Sequence, residues 1–107
     1  KQSDKKAIEL YEMAAKRGDA AAQCNLGNFY EQGSHGLIKS IERAISYFTL
    51  AANQGYADAQ FNLGVMYGRG EGVDQSYSKA REWITKAASQ GDESAINALK
   101  LLDQEGL

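Results

Sequence analysis

The stretch Ala22-Gln23-Cys24-Asn25-Leu26-Gly27 returns as Ala59-Gln60-Phe61-Asn62-Leu63-Gly64, 37 positions later. Ala44 returns as Ala80, and Ala51-Ala52 returns as Ala87-Ala88, 36 positions later. A period in this range constrains the fold more than any other feature. It means similar units stacked side by side, each burying its apolar face against the next. Such stacks build long surfaces, and long surfaces suit the binding of other chains.

The units read as pairs of helices. Ala7, Leu10, Tyr11, Ala14 and Ala15 recur at helical spacing between Ser3 and Arg17, and Gly18 stops the run. The same shape returns from Ser40 to Gln54, stopped by Gly55, and from Ser76 to Gln90, stopped by Gly91. We term these the B helices. Each opens on a serine, whose oxygen can accept a free backbone N–H of the first turn. A second pattern, the A helices, spans about Ala20 to Gln32, Ala57 to Arg69 and Glu93 to Gln104. The inner stripes are Ala22, Leu26, Phe29 and Tyr30; then Ala59, Leu63, Met66 and Tyr67; then Ala95, Leu99 and Leu102. The expected organisation is one domain over 1–107. It comprises a lone B helix (1–18), repeat 1 (19–55), repeat 2 (56–91) and a half repeat with a capping helix (92–107). The first A–B loop is one residue longer than the second, which accounts for the change of period.

Gly27 and Gly64 lie inside A helices, where glycine costs roughly 1 kcal/mol against alanine. The expected reason is close approach to Ala44 and Ala80 on the B helices. Lys100 takes the equivalent place in the last A helix, which reads as a cap on the stack.

These residues resemble the SEL-one-like repeats, relatives of the tetratricopeptide repeats. Leu63-Gly64, Tyr67, Gly70-Glu71-Gly72-Val73, Lys79-Ala80, Trp83, Ala87-Ala88 and Gln90-Gly91 carry the pattern. Leu26-Gly27, Tyr30, Gly33, Gly36, Ala44, Tyr47, Ala51-Ala52 and Gln54-Gly55 carry it in the first repeat. The resemblance implies an all-α, right-handed solenoid of antiparallel helix pairs. Its concave face would be lined by A helices, and its job would be that of an adaptor or scaffold for other proteins. Some bacterial members carry paired cysteines in each repeat; this chain has only Cys24.

Composition narrows the function classes. A net charge of −2 gives no electrostatic case for nucleic acid. No apolar run approaches the ~18 residues of a membrane span, and no targeting segment is visible, so a soluble domain of open compartment is expected. A single cysteine cannot form an internal disulfide or a structural zinc site, and no cofactor is expected. Ser-x-x-Lys occurs at Ser3 and Ser76, as in penicillin-recognising enzymes. The middle copy, however, runs from Ser40 to Arg43, and arginine stays protonated. Helix capping therefore explains the motif, and no enzyme is expected. His35 reads as a solvated loop residue. Trp83, Tyr47 and Leu10 occupy equivalent B positions and read as repeat packing.

A partner site is expected on the A-helix face opposite the inner stripe. At about 100° per residue this selects Ala21, Cys24, Asn28, Glu31 and Gln32. It also selects Asp58, Phe61, Val65 and Arg69, then Ser94, Asn97, Leu101 and Gln104. Asn28, Phe61, Val65 and Arg69 would form its centre. Phe61 has a second reading, as packing between neighbouring A helices. Two other expectations stand beside peptide binding. The chain could be a fragment or an engineered repeat scaffold with a purely structural role. It could also self-associate head to tail in a salt-sensitive way, because residues 1–18 carry +2 and residues 92–107 carry −3.

Overall fold

The computed structural model describes residues 2–107, with side chains from Asp4 onward. Six helices follow one another: α1 (Gln2–Lys16), α2 (Ala20–Gln32), α3 (Ile41–Asn53), α4 (Ala57–Arg69), α5 (Tyr77–Ser89) and α6 (Glu93–Glu105). The odd-numbered helices are the B helices and the even-numbered ones the A helices. Each packs on the next in chain order. The Cα radius of gyration is 14.2 Å, against about 13 Å for a compact chain of this length. The extents of 48 × 24 × 18 Å show the direction in which the units are stacked.

The helix ends are set by side-chain oxygens and left-handed glycines. Ser40 accepts from the Arg43 N–H at 3.2 Å, and Ser76 from the Lys79 N–H at 3.1 Å. The A helices use aspartate instead: Asp19 accepts from Ala22 N–H and Asp92 from Ala95 N–H, both at 2.9 Å. Tyr56 opens α4 without a side-chain cap. The expected cap Ser3 has its side chain outside the described residues. Gly33 and Gly70, at φ 66° and 68°, close α2 and α4 in the left-handed conformation that favours glycine.

The core is continuous along the stack. Ile8, Ala15, Ala22 and Leu26 join α1 to α2; Phe48, Ala51, Leu63 and Met66 join α3 to α4; Ala80, Ile84, Ala87 and Ala95 join α5 to its A neighbours. Tyr67 packs against both of the last two clusters, so no unit has a private interior. Two expectations for α1 need correcting. Leu10 is 66 % exposed and Ile8 is buried in its place. Tyr47 and Trp83 lean on the central cluster, and the Tyr47 ring stacks on Tyr30 at 5.9 Å.

The glycines inside α2 and α4 mark where the helices nearly touch. A Cβ on Gly27 would lie 2.6 Å from Cε1 of Phe48. One on Gly64 would lie 2.6 Å from Cγ1 of Ile84 and 3.1 Å from the Ala80 carbonyl oxygen. The side chains that occupy the missing methyls therefore stand one turn beyond Ala44 and Ala80. Those alanines are fully buried and let the helix backbones close up beneath.

Candidate functional site

The outer faces of α2, α4 and α6 place the candidate residues in three rows. Asp58, Arg69, Asn97 and Leu101 are exposed, Leu101 at 61 %. Asn28, Glu31, Phe61 and Val65 are half-buried. Asn62 donates from Nδ2 to Oδ1 of Asn28 at 3.3 Å, tying α4 to α2 across this face. Phe61 packs against the cluster that holds Ala95 and Leu99, so the second reading of that residue describes its position.

Electrostatics draw several of these groups together. Burial raises the Glu31 carboxyl above its ordinary value, and Glu71 adds to the rise, while Arg69 and Lys39 oppose it. Glu31 and Arg69 thus act on each other across adjacent A-helix ends. Cys24 departs from its expected place, being buried at 2 % exposure within the central cluster. An A helix in a stack touches helices on more than one side, so a two-faced projection overstates its free surface. Burial, followed by the Asp58 charge, pushes the Cys24 thiol up to about 11. Tyr56 is raised too, first by burial and then by Asp58.

The serine-lysine pairs are accounted for by geometry. Ser40 and Ser76 use their oxygens as caps. The Lys79 ammonium lies 5.4 Å from the centre of the Tyr67 ring. Arg43 lies 5.5 Å from that of Tyr30, and donates to its hydroxyl at 3.3 Å. The basic residue thus serves helix pairing through an aromatic face. His35 is exposed, but it is not simply solvated. It holds φ 57°, its ring lies 4.1 Å from that of Phe29, and its Nδ1 is 3.2 Å from Ser34 Oγ. Among the described residues there is no group of three or more His, Cys, Asp or Glu able to hold a metal ion. None of the described helices is long and apolar enough to cross a membrane.

A set of structural residues escaped the sequence reading. Gln23 donates to the Ala15 carbonyl at 3.1 Å and accepts from Gln54 at 2.9 Å. One repeat on, Gln60 donates to the Ala52 carbonyl at 3.2 Å and accepts from Gln90 at 3.0 Å. Helices α2 and α4 are thereby each tied to the B helix before and to the B helix after. Ile96 stands at the equivalent place in α6, where the ladder ends. The signal was the recurrence of Ala-Gln in the A helices and Gln-Gly after the B helices.

Comparison with known proteins is consistent with this geometry. The Sel1 repeat model matches residues 1–19, 20–56 and 57–92. The chain belongs to the Sel1 repeat family. Sel1 repeats are protein-interaction modules and generally non-catalytic scaffolds. Three solved structures share the fold. A protective antigen of uropathogenic Escherichia coli with an SLR fold is 39 % identical, with TM-score 0.88 over 92 % of this chain and 21 % of its own. A Sel1 repeat protein from Oxalobacter formigenes is 34 % identical, with TM-score 0.89 over 98 % of this chain and 44 % of its own. Helicobacter pylori cysteine rich protein B is 26 % identical, with TM-score 0.82 over 88 % of this chain and 70 % of its own. The chain therefore spans less than half the length of the first two. No curated protein matches by sequence.

Proposed function

We propose that this Sel1 repeat chain is an adaptor that binds a peptide or protein segment along the outer face of α2, α4 and α6. One observation carries the reading. Positions that build the stack recur from unit to unit: Ala22, Ala59 and Ala95, or Leu26, Leu63 and Leu99. Positions on the outer face do not recur: Asn28 gives way to Val65 and Leu101, and Gln32 to Arg69 and Glu105. The side chains that differ here are not held by the stack and are free to follow a partner. Their mixture of amides, one cation and apolar patches suits an extended or helical segment of another protein.

The adaptor acts in this reading as a single copy. Lys100 stands where Gly64 admits Ile84, so a helix of a second molecule cannot lie on α6 as α5 lies on α4. Asp103 is already paired with Arg81 at 2.9 Å. Sedimentation velocity is expected to give the same monomer at low and high salt; a salt-sensitive increase in size would restore head-to-tail association.

Binding is tested with a partner isolated on the immobilised chain. Phe61→Ala with Arg69→Ala is expected to weaken that partner by about tenfold or more, the scale of a small hot spot. Ser78→Ala with Glu82→Ala, on α5, is expected to leave the affinity unchanged. The reverse pattern would place the site on the B helices.

A further inference from the structure

The B-helix side holds a second feature that the adaptor reading does not use. A trough follows α1, walled by α3 along one half and by the α2–α3 loop along the other. The half against α3 encloses about 440 Å³ over Met13 and Leu50. The half under the loop encloses about 630 Å³ over Ile8 and Leu37. Glu9 and Glu12 line both halves, so the two carboxylates stand where the halves adjoin. Asp4 and Lys5 border one end and Lys16 the other.

The loop half of the trough is a property of this pair of units and not of the repeat. One unit on, Gly72 lies so tightly on Ile41 and Ile45 that an added Cβ would collide with both side chains. At the matching Gly36, a Cβ would meet nothing within 4 Å among the described residues. Asp4 and Ile8 stand where the second unit has Ile41 and Ile45, and the first loop is one residue longer. His35 holds this longer loop in a left-handed step with its ring on Phe29, a conformation unfavourable to a non-glycine residue. Met13 and Leu50 remain 52 % exposed in the opening.

We propose that this trough receives a short cationic and apolar segment of another protein. Its apolar side chains rest on Leu37, Met13 and Leu50, and a lysine or arginine lies between Glu9 and Glu12. Covering half-exposed apolar groups supplies most of the affinity. The two carboxylates set the sign of the segment, since exposed charge pairs contribute orientation more than strength. An anionic segment would meet both carboxylates unpaired.

The test is a titration of the isotope-labelled chain, followed by amide shifts, with three blocked pentapeptides: Leu-Lys-Leu-Lys-Leu, Leu-Glu-Leu-Glu-Leu and Gly-Lys-Gly-Lys-Gly. The first is expected to shift amides of α1, of residues 34–38 and of α3 around Tyr47 and Leu50, and to bind more tightly than the other two. Glu9→Gln with Glu12→Gln is expected to weaken it by about tenfold, and Leu50→Ser to weaken it without altering the helical spectrum. Equal binding of the glutamate or glycine peptide overturns the proposal. So does the absence of shifts, or shifts confined to α2, α4 and α6; this last result would leave the adaptor face standing.

Discussion

At Gly64, two effects of an added methyl group oppose each other. In an exposed helix, alanine is better than glycine by roughly 1 kcal/mol. Here the methyl would press on Ile84 and on the Ala80 carbonyl, and overpacking of this kind costs about 1–3 kcal/mol. Gly64→Ala is therefore expected to lower the urea midpoint; a raised midpoint would show that α4 and α5 are not held by close approach. Cys24 gives a second residue-scale prediction. With its thiol near 11, roughly one molecule in a thousand carries the thiolate at pH 8, and that thiolate is buried. Iodoacetamide is expected to leave the folded chain unlabelled and to label it in denaturant. The raised value also has a sign for stability: the contribution is complete below the unfolded thiol's pKa near 9 and is lost as pH climbs towards 11. The glycine signal was visible in sequence because glycine is a poor helix former. The contact that fills its place was not, since chain offset pointed to the small Ala80 and not to Ile84 one turn on.

Helix α2 begins and ends where local chemistry puts it, between the Asp19 cap and the left-handed Gly33, and α4 ends in the same way at Gly70. Their boundaries were legible because those signals are local. The glutamine ladder was not, because a single glutamine reads as a solvated polar residue until the carbonyl it serves is known. Gln60 is 4 % exposed, donating to Ala52 and accepting from Gln90. Gln60→Ala is expected to destabilise the chain by about 1–3 kcal/mol, since it removes both hydrogen bonds of a buried side chain. In a double-mutant cycle with Gln90→Ala, the two losses are expected to fall short of additivity by at least ~0.5 kcal/mol. Strict additivity, read from urea midpoints, would mean that the pair does not join one helix to the other.

Along the whole molecule, the stacking direction and the inner stripe follow from a period that any reader of the chain can count. The proposed binding face is harder to read, because an A helix in the stack has neighbours on several sides. Cys24 and Phe61 were drawn inward by those neighbours, while Asp58, Arg69, Asn97 and Leu101 stayed outside. The proposed face carries residues that vary between units, as the exposed B-helix pairs Glu42 and Ser78, and Ser46 and Glu82, also do. Position-resolved photo-crosslinking tests it most directly, with the reactive group placed in turn at Asp58 and Asn97 on the A helices and at Ser78 and Glu82 on α5. One and the same partner joined to the chain from Asp58 and Asn97, and not from Ser78 or Glu82, is the result expected of an adaptor that works through α2, α4 and α6. A partner captured from Ser78 or Glu82 and absent from Asp58 and Asn97 would contradict it.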